Sequence, residues 1–180
     1  QTVGLYSDFE LCGPVPPELS VQNKGELGVS ISLDETYDPF PKTLHLVPKI
    51  TVLGIGCKKG TPAEKIEALV RSVMEQNQIS MHSIVKAASI DLKKEEPGLL
   101  EFCRKHQIPL LTYTAEELSE TEHEEELSES EFVKQVTGVG SVCERSALRA
   151  SGRKKLLQGK AAADGVTLAV ALEKYTVNFG

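Results

Sequence analysis

The chain has 180 residues, 40% hydrophobic and 26% charged, a composition of soluble globular proteins and a length for one ordinary domain plus part of another. Aromatic residues make up only 5%, and no dense basic stripe accompanies them, which argues against nucleic-acid binding. The net charge of −6 hides an asymmetry: residues 116–131 hold nine glutamates and no Lys or Arg, so the remainder taken alone is net basic by three.

No apolar run approaches a membrane span, and no charged-then-apolar leader opens the chain, so no membrane partner is expected. The chain starts at Gln1, which suggests an upstream region cut away. Cys12, Cys57, Cys103 and Cys143 are widely spaced with no C-x-x-C pair. That pattern favours a reduced, cytoplasmic protein without a zinc knuckle.

Residues 1–48 read as the tail of an upstream domain and a linker, and 49–180 as a separate domain. Thr2–Tyr6 predicts a short strand, residues 12–17 (CGPVPP) a rigid turn, and Gly28–Leu33 a half-exposed strand. From Ile50 the pattern becomes regular. Ile50–Ile55 predicts a buried strand, and Pro62–Gln78 a helix with Ile66, Leu69, Val70 and Val73 on one face. Met81–Ala88 predicts a second helix, 97–106 a third and Ile108–Tyr113 a short strand. Ser130–Val136 and Val142–Ala150 predict two more helices, and Asp164-Gly165 a hairpin turn between 156–163 and 166–172. Strands alternating with helices imply a three-layer α/β/α domain with a mixed sheet.

Two glycine turns that precede helices are candidate anion sites, because free N–H groups and the helix dipole favour negative charge. In the first, Gly54, Gly56, Cys57, Lys58, Lys59 and Gly60 lead to a helix for which Thr61 and Glu64 predict a capping box. The spacing fits neither G-x-G-x-x-G nor a P-loop. In the second, residues 137–152 (TGVGSVCERSALRASG), Gly140 precedes Ser141 as N-cap. Arg145 and Arg149, four apart, share a face that could clamp a carboxylate. Asp91, Glu95 and Glu144 are candidate acid–base groups, and Lys93 adds a cation beside Asp91. Cys57 has lysine neighbours but no paired histidine, a poor basis for a nucleophile. The glutamate-rich stretch is expected at the periphery and dispensable, and the two glycine turns at one end of the sheet.

Three segments, GIGCKKGTPAEKIEALV, ASIDLKKEEPGLLEFCRKHQIPLLTYTAEEL and SEFVKQVTGVGSVCERSAL, followed by GKAAADGVTLAVA, resemble in order and spacing the C-terminal domain of the CbiG family and its CobE relatives. The resemblance covers about Val52–Glu173, and the preceding segment resembles the end of the CbiG central region. It implies a cobalt-precorrin-5A hydrolase of anaerobic cobalamin (vitamin B12) biosynthesis, which opens the ring A δ-lactone and releases acetaldehyde. A non-catalytic corrinoid-binding or carrier module is the alternative. The implied ligand is a cobalt-corrinoid precursor with many carboxylates. Cobalt then arrives as substrate, so no separate cofactor and no metal site of the protein's own is expected; a homodimer stays open. One departure is Gly140-Ser141, where a TGVDNVCER-type stretch is expected; backbone donors survive there, but side-chain roles do not.

Overall fold

The computed structural model describes residues 2–22, 25–129, 134 and 140–180. The predicted helix at 130–136 lies almost wholly outside them. The chain divides into two compact units.

The first unit comprises residues 1–49, 74–83 and 175–180. Strands β1 (Val3–Ser7), β3 (Leu19–Ser20), β4 (Leu27–Ile31) and β5 (Lys42–Leu46) form a parallel sheet ordered β3-β1-β4-β5. A short parallel pair joins β2 (Leu11–Cys12) to β11 (Val177–Asn178). Leu5, Ile31 and Val177 are the buried centre, with Phe9, Leu11, Leu19 and Val29 packed around it. The Phe40 ring lies flat on two strands. A Cβ at Gly4 or Gly28 would come within 2.2 or 2.1 Å of it, so only glycine fits. Residues 1–48, which read as a tail with few core positions, therefore contribute a sheet and a core, completed by segments distant in sequence. In the same unit Ser80 donates its backbone N–H to the Leu33 carbonyl and its hydroxyl to Glu35, which also bonds His82.

The second unit comprises residues 50–73 and 84–174. Its mixed sheet runs β8-β7-β6-β10-β9. Strands β6 (Thr51–Cys57), β7 (Ile84–Ile90) and β8 (Leu110–Tyr113) are parallel; β10 (Val166–Leu172) is antiparallel to β6 and to β9 (Gln158–Ala163). Helices are α1 (Ala63–Gln76), α2 (Pro97–Lys105), α3 (Ala115–Ser119) and α4 (Val142–Ser151). No helix among the described residues is long and apolar enough to cross a membrane.

Both faces of β6 are buried. Val52 and Ala88 meet Ala150 of α4, and Ala169 and Ala171 meet Cys143 and Ala147, so α4 covers one face. The alternate residues Leu53, Ile55, Leu168 and Val170 are as fully buried on the other face. Crossovers between parallel strands are right-handed as a rule, and by that rule α1, between β6 and β7, and α2, between β7 and β8, belong on that side, opposite α4, in the three layers expected from the sequence.

Two local readings change. The expected helix over Met81–Ala88 is a single 3₁₀ turn, Met81–Ser83, followed by β7. Ile84–Ile90 is too short and too buried for periodicity to separate strand from helix, and pairing with β6 and β8 decides it. The capping box at Thr61 does not form as expected either: α1 starts at Ala63, and the Thr61 hydroxyl donates to the Lys58 carbonyl instead.

Glu67 of α1 faces His106 and Lys105 at the end of α2 and Arg71 one turn along its own helix. Burial pushes the Glu67 carboxyl up, but the His106 hydrogen bond and the charges of His106, Arg71 and Lys105 outweigh it and hold it below its ordinary value. A group depressed in the folded state stabilises above its unfolded pKa, and that contribution fades as pH falls through the folded one. Glu67→Gln should therefore lower the melting temperature at neutral pH. The gap to the parent should close on acidification from about 4.5 downward, which a series of melts against pH would follow.

Candidate functional site

A cavity of about 700 Å³ opens at the carboxyl ends of β6 and β7. Ligands of open α/β sheets bind at such strand ends. Gly56, Cys57, Lys58 and Lys59 form one wall, Ile90 and Lys93 a second, and Gly140 to Cys143 at the start of α4 a third. The β9–β10 hairpin, from Lys160 to Thr167, closes the fourth. Asp164 (φ 51°) and Gly165 (φ 82°) make its tight turn, where two consecutive positive φ angles suit Asp-Gly. Gly165 accepts the Lys58 N–H at 2.9 Å, and the Lys58 stem lies over it. The two glycine turns thus meet in one cavity, and both Lys58 and Lys59 line it.

The lining is amphiphilic. Among the described residues, Ile90, Val142, Cys143, Ala162, Ala163 and Val166 give apolar surface, and Lys58, Lys59, Lys93 and Lys160 give four cations against the single carboxylate of Asp164. Among the described residues only Lys93 of the four is ion-paired, with Glu96 at 3.9 Å. The thiols are not poised to attack. Burial raises the Cys57 pKa, with Glu96 adding to the rise and Lys93 opposing it. Cys143 is pushed up to about 12, chiefly by burial, though a hydrogen bond with Thr167 opposes this. Both stay protonated at neutral pH.

Residues 51–171 match the family described as Cobalamin synthesis G C-terminus. The chain belongs to this family. Among the relatives of this CbiG C-terminal chain, the cobalt-precorrin-5A hydrolase of Priestia megaterium is 34% identical over 71% of this chain and 33% of its own length. The enzyme of the same name from Salmonella typhimurium is 34% identical over 79% of this chain and 43% of its own length. The chain therefore spans less than half the length of these hydrolases. The CobE protein of Sinorhizobium, 34% identical, is matched over 68% of its length. A crystal structure of CobE, a protein from the cobalamin (vitamin B12) biosynthetic pathway, superposes with a TM-score of 0.63 at 30% identity, covering 71% of this chain and 92% of that one. A putative cobalamin biosynthesis protein G homolog from Sulfolobus solfataricus shares the fold over 96% of this chain and 51% of its own, with a TM-score of 0.56 at 24% identity.

Other expected site residues of this CbiG C-terminal chain lie elsewhere. Gly54 does not line the cavity; a Cβ there would lie 1.8 Å from the Cys143 carbonyl oxygen, so it serves the close approach of α4 to β6. Gly60 lies just outside the lining and donates its N–H to Glu96 at 2.9 Å. Arg145 and Arg149 share a face, as their spacing predicts, but that face meets α3. Arg145 donates to the Ser141 hydroxyl at 3.0 Å and to the Leu118 carbonyl, and reaches Glu129. Arg149 donates to the Glu117 carbonyl at 2.9 Å and lies over the Tyr113 ring. They fasten α4 to α3.

The acid–base candidates are displaced too. Glu144 is buried and accepts hydrogen bonds from the N–H and hydroxyl of Ser128 and from the N–H of Lys160, so it braces the hairpin from behind. Asp91 forms a 3₁₀ turn outside the lining, with Lys94 N–H on its carbonyl. The residues that sequence reasoning missed are Lys160 and Glu96. Lys160 sits beside a bulge in β9, where register shifts opposite Leu168–Val170, and such a bulge re-aims a side chain.

The glutamate-rich stretch is less peripheral than its composition suggests. Leu118 and Leu127 are buried, and Leu118 packs on Ile90 and Val142, two residues that line the cavity. The carboxylate of Glu129 lies where a Cβ of Gly140 would go. Residues 122–126 are exposed, with Glu122 paired to Lys154 at 3.0 Å and Glu125 accepting the Leu156 N–H at 2.8 Å. Glu122→Gln and Glu126→Gln should each change stability by no more than about 0.5 kcal/mol in a denaturant titration, the ordinary range for surface changes.

Proposed function

We propose that this chain is part of a cobalt-precorrin-5A hydrolase and takes part in its chemistry, its cavity receiving the carboxylate-bearing edge of the cobalt-corrinoid precursor. The observation that carries this is the lysine set: Lys58, Lys59, Lys93 and Lys160 surround one amphiphilic cavity, with apolar Ile90, Val142 and Val166 for the macrocycle. Charge-assisted contacts from lysine to carboxylate are the strong class of hydrogen bond, and a shared concavity concentrates their field. Relatives bearing the hydrolase name support the reaction class. On this reading the full protein opens the ring A δ-lactone and releases acetaldehyde.

A second reading, a corrinoid-binding or carrier module without chemistry of its own, is favoured by the state of the lining thiols. Both are held protonated, and among the described residues no histidine lines the cavity to activate them. Incubating the chain and a full-length relative side by side with cobalt-precorrin-5A separates the two. Acetaldehyde from both supports catalysis here; acetaldehyde from the relative alone, with tight corrinoid binding by the chain, supports the module. Neither binding nor turnover by the chain would sink both readings.

A further inference from the structure

Glu96 precedes α2 at its N-cap position, yet its side chain makes no hydrogen bond to that helix. It is 8% exposed, and a buried carboxylate needs partners. Of its two side-chain partners, Lys93 lines the cavity and Gly60 directly follows the lining residues Lys58 and Lys59. Glu96 Oε1 accepts the Gly60 N–H at 2.9 Å, thirty-six residues away in sequence, and stands 3.9 Å from Lys93 Nζ. Its own backbone N–H donates to the Lys93 carbonyl at 3.0 Å. Gly60 has φ +82°, a conformation that another residue would resist, and directly follows Lys58 and Lys59. One buried carboxylate thus ties together the two segments that carry three of the four cavity lysines.

We propose that Glu96 is a positioning residue of the cavity: it fixes the Lys58–Gly60 turn and Lys93 in one geometry, so that the three ammonium groups are presented together to a polycarboxylate ligand. Unpinned, the turn would have to be ordered by the ligand itself, and ordering costs affinity. The proposal rests on the reading of the cavity as a polycarboxylate site.

The test uses coproporphyrin III, a fluorescent tetrapyrrole edged with propionates, titrated into the chain and its variants at low salt. Glu96→Ala should weaken binding about fivefold, the worth of one net hydrogen bond. Glu96→Gln keeps an acceptor for Gly60 and should bind within about twofold of the parent. Glu96→Asp withdraws the carboxylate by one methylene and should behave like the alanine variant, which keeps the test alive if Glu96→Ala does not fold. In a Lys58→Met, Lys59→Met background the loss from removing Glu96 should shrink, because Glu96 acts through those lysines; an undiminished loss would mean a general effect on the fold and would overturn the proposal. Lysine variants that weaken binding beside Glu96→Ala and Glu96→Asp variants that bind like the parent also overturn it, and leave the cavity reading standing. Lysine variants that bind like the parent overturn the cavity reading itself.

Discussion

Replacing Gly54 with alanine should cost this chain about 3 kcal/mol or more, the upper end for overpacking a well-packed interior. The added Cβ would lie 1.8 Å from the Cys143 carbonyl oxygen and 2.7 Å from the Ala147 nitrogen. Both are backbone atoms of one helix turn, so no rotamer change relieves the contact and α4 must lift from the sheet. A loss of that size is a large fraction of the stability of an ordinary domain. Val142 and Cys143 would move with the helix, and they line the cavity. Chemical denaturation should show a lowered midpoint, and any folded Gly54→Ala protein should bind a tetrapyrrole carboxylate more weakly. A midpoint equal to the parent's would mean that α4 does not approach β6 this closely.

Removing both charges in Lys58→Met, Lys59→Met should weaken binding of an anionic corrinoid by roughly 1–3 kcal/mol, a loss that shrinks as salt is raised. Methionine keeps most of the aliphatic stem, so the change is mainly one of charge. The Lys58 backbone N–H still donates to the Gly165 carbonyl, and stability should hardly change. Isothermal titration at two salt concentrations gives both quantities. Unchanged affinity at low salt would remove these lysines from the site.

Much of the second unit was legible because its signals are local. A continuous apolar, β-branched run marks β6, glycines mark the turn after it, and Asp164-Gly165 marks the hairpin that forms one cavity wall. What was illegible depends on partners distant in the chain. Spacing puts Arg145 and Arg149 on one face of α4, but only the fold reveals that α3 covers that face. Glu144 looks like an acid beside a glycine turn, whereas its partners, Ser128 and Lys160, lie sixteen residues away on either side. Glu96 attracts no notice in a run of charges, and its bond to Gly60 exists only once β6 and α2 meet at one end of the sheet. In the first unit the same limit hid an assembly of three separated segments, whose core joins Leu5 and Ile31 to Val177.

The two turns expected to seat an anion each carry a carboxylate of the protein's own, Glu96 bonded to Gly60 and Glu129 against Gly140. A small monovalent anion that arrives there competes with a tethered rival, whose effective concentration is high because it is part of the same chain. The vacant attraction is instead spread over separate lysine side chains around the rim. A ligand with one acidic group can engage one of them and gains little over water. A ligand with several, held on a rigid frame, adds each further contact without a second loss of translational freedom. The cavity should therefore count charges rather than detect them, favouring rigid polyvalent acids over acetate, phosphate or other small ions of the cell.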